Sequence, residues 1–173
     1  MNNDLNEKKD NLIIEKLNSS NESKINEAIA EIRQNGKPEF FPHMINLYKN
    51  SSSYIVKQQL FDTFIDIKDV NVIPYIVQTL KNPEYKNIKK DLLNICWQTS
   101  LDFIDYVDIF IEIFIFDDFE TAFEAFTIID CIDNKPDTHF FQKSIDLLIS
   151  NTENIKENKQ FLFEEILNKL NNL

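Results

Sequence analysis

Gly36 is the only glycine in a chain of 173 residues. That scarcity excludes many architectures before any pattern is read. P-loops, dinucleotide-binding crossovers and hairpin-rich β folds need glycine where the backbone turns tightly or approaches a ligand. What remains is a fold whose connections are built from Asn, Ser, Asp and Pro, and short helices joined by such turns meet that condition. Phenylalanine is abundant, with 15 residues, and supplies bulk for the space between helix layers.

The stretch Val70–Leu101, VNVIPYIVQTLKNPEYKNIKKDLLNICWQTSL, reads as two amphipathic helices. Val72, Ile73, Ile76, Val77 and Leu80 share one helical face, and Ile88, Leu92, Ile95, Cys96 and Thr99 share another. Pro74 falls in a first turn, where its missing N–H breaks no bond, and Asn82-Pro83 supplies an N-cap and a preset first residue. One such hairpin is too small to bury both stripes, whereas stacked copies bury them against one another. The copies recur along the chain. Pro42, Val56 and Leu60 precede Pro74, Ile88 and Leu92 by 32 residues, and Ile25 and Ile29 precede Val56 and Leu60 by 31. Going forward, an offset of 31 assigns Phe119, Phe123 and Phe126 to the same core-facing stripe. A polar lead over 1–8 is followed by one domain over 9–173, with units at about 9–36, 37–69, 70–101, 102–133 and a looser 134–173.

The segment IPYIVQTLKNPEYKNIKKDLL resembles the HEAT-repeat family: an apolar first helix with an early Pro, a short polar turn, then an apolar-basic pair opening the second helix. The pair is Ile88-Lys89 here and Val56-Lys57 one unit earlier, and its basic position is lost in the first and fourth units, which have Asn26 and Glu120. The resemblance covers residues 9–172. It implies an all-α, right-handed α-solenoid of about five antiparallel helical hairpins, in a family that usually binds other macromolecules.

Local signals place the remaining boundaries. Asn35-Gly36 is expected to close a helix from Asn21 with glycine as a left-handed cap. Ser51-Ser52-Ser53 and Asp117-Asp118 mark turns, and Pro136-Asp137 opens a helix to about Leu148. A last helix is expected from about Glu157 to Leu170. Cys96 and Cys131, on second-helix stripes and not in a CxxC, read as buried reduced thiols. The polar opening MNNDLNEKKD and the lack of a spanning apolar run point to a soluble, cytoplasmic chain with no membrane partner.

The formal net charge is −11, and the segment from Leu101 to Phe140 holds 11 acids against one base, Lys135. Asp105, Asp108 and Glu112 share one helical face there, and Asp117, Asp118, Glu120 and Glu124 follow. This is either an electronegative docking surface for a basic protein or a solvated face that keeps a Phe-rich unit dispersed. Ile65, Trp97 and Ile128 occupy equivalent positions on three second helices. They form either an apolar ridge in a groove, with Trp97 as anchor, or contacts to neighbouring helices. Lys89 is a candidate to bond the turn carbonyls of its neighbour.

No catalytic residue, cofactor site or metal site is assigned. His43 and His139 lie in different units without HxxxH spacing, no nucleophile elbow is present, and the glycine of a Ca²⁺ loop is missing. The expected function is therefore a non-catalytic protein-interaction module, a scaffold or adaptor for a protein with a basic surface. An alternative is a dedicated inhibitor or immunity-type protein covering one basic partner. A remote one is a HEAT-like DNA glycosylase. Such an enzyme needs phosphate-neutralising side chains, and Arg33 is the sole arginine, so no nucleic acid partner is expected.

Overall fold

A computed structural model describes the backbone of residues 2–133 and 140–173 and the side chains from Asn6 onward within them. The expected helix start at Pro136-Asp137 and the side chain of His139 lie outside the described residues. Among those residues there are ten α-helices and no strand. They are α1 (Asn2–Leu17), α2 (Glu22–Asn35), α3 (Phe41–Asn50), α4 (Tyr54–Ile65), α5 (Ile73–Lys81), α6 (Lys89–Gln98), α7 (Val107–Phe116), α8 (Phe119–Asp130), α9 (Gln142–Ser150) and α10 (Gln160–Asn172). Helix α1 begins at Asn2, within the polar lead. No helix among the described residues is long and apolar enough to cross a membrane.

The helix starts repeat. A 3-10 turn runs directly into α3, α5 and α7, over Pro38–Phe40, Val70–Val72 and Ile104–Tyr106. Pro42 and Pro74 sit in the first turns of α3 and α5, where no amide donor is required. Helices α2, α4 and α8 start on side-chain caps. Asn21 accepts from the Ser23 N–H at 2.9 Å, Ser53 from the Val56 N–H at 3.4 Å, and Asp118 from the Thr121 N–H at 3.1 Å. Asn82 instead accepts from the Glu84 N–H at 3.0 Å, and a 3-10 segment, Pro83–Ile88, precedes α6.

Gly36 follows α2, but not as a left-handed cap, because its φ is −65°. Its requirement is one of space: a Cβ there would lie 2.4 Å from the Ile32 carbonyl oxygen. Gly36→Ala is therefore expected to destabilise by about 1–2 kcal/mol through a forced backbone shift, despite the lower entropy of the unfolded chain. Urea denaturation checks this, and an unchanged or raised midpoint would contradict it.

The chain forms two compact units, one of Met1–Asn87 with Thr99–Leu101 and the other of Ile88–Gln98 with Asp102–Leu173. In the first, α2 packs on α1 and α4, and α3 on α1, α4 and α5. Its core includes the buried Leu17, Ile29, Met44, Leu60, Ile76 and Phe64, and the Phe64 ring stands 5.3 Å from that of Phe41. In the second, α7 is apolar on nearly all sides, with Phe110, Ile111 and Phe114 fully buried, and it packs between α8 and α9. Helices α6, α8 and α10 run side by side in the same direction. Lys89, Lys90 and Asn94 meet Asp117, Glu120 and Glu124 in step, and Lys159 and Lys169 meet Asp117 and Asp130.

The core stripe of α4, Val56, Leu60, Thr63 and Phe64, recurs at an offset of 32 as Ile88, Leu92, Ile95 and Cys96, all buried. The next step is not 31. The buried positions of α8 are Thr121, Ala122, Ala125, Ile128 and Ile129, and they match α6 at an offset of 33. Two residues rotate a helix by about 200°. Phe119 and Phe123, expected in the core, are therefore exposed, and Phe126 is half-buried. Cys131 follows α8 and is exposed rather than buried. Cys96 is fully buried as expected, and burial pushes its thiol well up.

Candidate protein-binding surface

Helix α8 has two apolar faces. One carries small and β-branched residues and packs between α6, α7 and α10. The other carries Phe119, Phe123 and Phe126 at i, i+4 and i+7, a row extending over about 10 Å. The rings touch in sequence, with centroids 6.3 Å and 6.1 Å apart. Beside them on α6 stands Trp97, whose indole N–H donates to Glu124 Oε2 at 2.8 Å, which fixes the plane of the ring. Phe119, Phe123 and Trp97 are 42%, 47% and 38% exposed, and Phe116, just before the α7–α8 turn, is 63% exposed. Contiguous apolar surface of this kind differs from the singly scattered hydrophobics of an ordinary surface.

The acidic residues divide into two groups. Most hold the unit together. Asp108 accepts from Lys143 and Ser144, Asp117 accepts from Lys89 at 3.0 Å, and Asp118 caps α8. Glu120 pairs with Lys90 at 2.5 Å, and Glu124 accepts from Trp97 and Asn94. Asp105 and Glu112 point to solvent. The expected ladder of Asp105, Asp108 and Glu112 thus has its middle member engaged with α9. Of the apolar candidates, Trp97 is exposed, Ile65 on α4 is half-buried in the first unit, and Ile128 is 4% exposed in the core of the second. Ile128 cannot contribute to a surface ridge, because the two-residue lengthening places Asp130 at the position equivalent to Trp97.

Lys89 bonds the carboxylate of the neighbouring turn rather than its carbonyls. Lys159 takes the carbonyls instead, donating to Phe114 O at 2.6 Å, Ile115 O at 2.8 Å and Asp117 O at 3.3 Å. Nothing local in the sequence distinguishes Lys159 from its neighbours, since its partners lie more than forty residues away. The Phe row is a helical stripe in the sequence, but it faces outward rather than into the core.

Two carboxyls titrate unusually. Burial raises that of Asp108, but hydrogen bonds from Lys143 and Ser144 outweigh it and hold the group below the ordinary 3.8. The Thr121 N–H, aided by the Thr121 hydroxyl, holds Asp118 below the same value against some burial. A depressed folded value means that the stability these groups contribute is complete above 3.8 and is lost as pH falls through their folded values. Asp108→Asn with Asp118→Asn, which keeps a cap and an acceptor, should flatten the decline of melting temperature below pH 3.8. Melts followed by circular dichroism at stepped pH check this, and identical acid limbs would refute it.

The first unit holds a half-open cavity of about 280 Å³ at the C-terminal ends of α2 and α4. Its apolar floor includes Phe41 and Met44, and its rim includes Arg33, already paired with Asp66 at 2.5 Å. No family model matches the chain, and no curated protein or solved structure matches it significantly.

Proposed function

We propose that the chain is a HEAT-like α-solenoid of helical hairpins that works in the cytoplasm as a non-catalytic protein-interaction module, a scaffold or adaptor. The observation that carries this reading is the exposed aromatic row on α8, set among the carboxylates of an acidic segment. Aromatic side chains bring a large apolar area with few rotatable bonds, which makes them effective anchors for a partner. The solenoid reading is supported by the 3-10 turns that open three helices and by the shared core positions of α4 and α6.

A pull-down from native lysate at low and moderate salt tests it, with native, Phe119→Ser/Phe123→Ser and Asp105→Lys/Glu112→Lys baits. A partner held by the native bait and lost by the aromatic variant is the expected result. Loss by the charge variant as well, with one stoichiometric basic protein, would narrow the reading to a dedicated inhibitor. A partner profile unchanged by either variant would refute a binding role for this surface.

A further inference from the structure

We propose that the aromatic row on α8 receives an amphipathic helix, with aliphatic residues on its apolar face and Lys or Arg along its flanks. The inference rests on the reading of the chain as a protein-binding module and names the partner's chemistry.

The shape of the row fits a helix. Phe119, Phe123 and Phe126 form a straight ridge of two turns, and Trp97 stands to one side of it on the parallel helix α6. A partner helix with aliphatic side chains at i, i+3 or i+4, and i+7 presents the matching period. The ridge is also held in place before binding. The three rings pack on one another, and Glu124 pins the indole of Trp97, so little side-chain freedom is left to lose.

The charge around the ridge selects the flanks of the partner. Glu120 lies toward α6, and Asp130 stands on the same face as the rings, two turns beyond Phe123. The nearest bases on α6 are engaged: Lys89 with Asp117 and Lys90 with Glu120. In the second of these pairs the two side chains are 49% and 73% exposed. Such a pair contributes little and exchanges readily for a partner's cation. A guanidinium or ammonium on the flank of a bound helix would meet carboxylates on one side and aromatic faces on the other. A second copy of this chain is a poor occupant. It would set the same acidic segment against itself, a segment still net negative after Lys89, Lys90, Lys143 and Lys169 pair with four of its eleven acids. Phosphate-bearing nucleic acid meets the same repulsion.

Trp97 is the sole tryptophan, so its fluorescence reads the surface directly. The probe is a synthetic helix of Leu and Lys without aromatic residues, about five turns or roughly 18 residues long. It is compared with a scrambled peptide of the same composition and with a version carrying Glu for Lys. The Leu/Lys helix is expected to shift Trp97 emission to the blue and to saturate, with both comparison peptides about tenfold or more weaker. Phe119→Ser with Phe123→Ser should cost about tenfold or more in affinity while leaving the melting temperature unchanged. Equal binding of the scrambled peptide, or full affinity in the double variant, would overturn the proposal. A native dimer that the double variant dissociates would overturn it too, with a second copy as the occupant. If no probe binds while the double variant still loses a lysate partner, the partner chemistry falls and the binding-module reading stands. A lysate partner retained by the double variant overturns both the partner chemistry and the assignment of binding to this row.

Discussion

Replacing Lys159 by methionine is expected to lower the stability of the second unit by about 3 kcal/mol. The side chain is 1% exposed, and its ammonium donates to three carbonyls at and just beyond the C-terminal end of α7. Those carbonyls have no partner within their own helix, and a cation there also opposes the negative end of the helix dipole. The ammonium lies 5.4 Å from the centroid of the Phe114 ring, a ring that is itself fully buried. Burial pulls the lysine below its ordinary 10.5, so the charge is held in an unfavourable medium and depends on the carbonyls for compensation. Methionine keeps most of the stem and its packing but leaves the carbonyls buried without a donor. Lys169, which donates to Asp130 O at 2.6 Å from a more open position, should cost only about 1 kcal/mol when changed in the same way. Urea denaturation of both variants, with Lys156→Met as an exposed comparison, makes the test. A Lys159→Met midpoint equal to that of the native chain would show that the carbonyls find other partners.

The second large effect concerns the two faces of α8. Ala125 is fully buried, and Phe123, two residues away, is about half exposed. Ala125→Leu is expected to destabilise by about 2–3 kcal/mol, because the added carbons have no space between α8 and its neighbours. Phe123→Ser, a far larger chemical change, should stay within about 0.5 kcal/mol of the native stability. Both are measured by the same denaturation. The reverse order of effects would mean that the Phe row faces inward after all.

That reversal also shows what the sequence could and could not reveal. Helix positions were legible because period 3.6 repeats in every segment and because Asn, Ser, Asp and Pro punctuate them at useful positions. The step from α4 to α6 was legible for the same reason, since Val56, Leu60 and Phe64 map cleanly onto Ile88, Leu92 and Cys96. The step from α6 to α8 was not. Two apolar stripes share α8, and hydrophobicity alone ranks Phe119, Phe123 and Phe126 above Thr121, Ala122 and Ala125. Close packing decides otherwise, because small and β-branched side chains let α8 approach α6, α7 and α10 together where phenylalanines would not. The acidic segment was visible as composition, but not the division of its members. Asp108 needs Lys143 and Ser144, and Asp117 needs Lys89, and those pairings are set by tertiary structure. Lys159 was invisible for a related reason: a lysine that caps a distant helix has the same local sequence as one that faces water.

The position of these two caps has a consequence for synthesis. Helices α7 and α8 leave the ribosome well before the 3-10 turn Glu157–Lys159 and α10, which supply Lys159 and Lys169 to their open ends. Until α10 emerges, the last carbonyls of both helices lack these donors, and the side of α8 that packs on α10 is bare. The nascent second unit thus shows apolar surface that the finished unit covers. Its closure awaits a stretch of chain more than forty residues downstream of the Phe114 carbonyl that its first cap must reach.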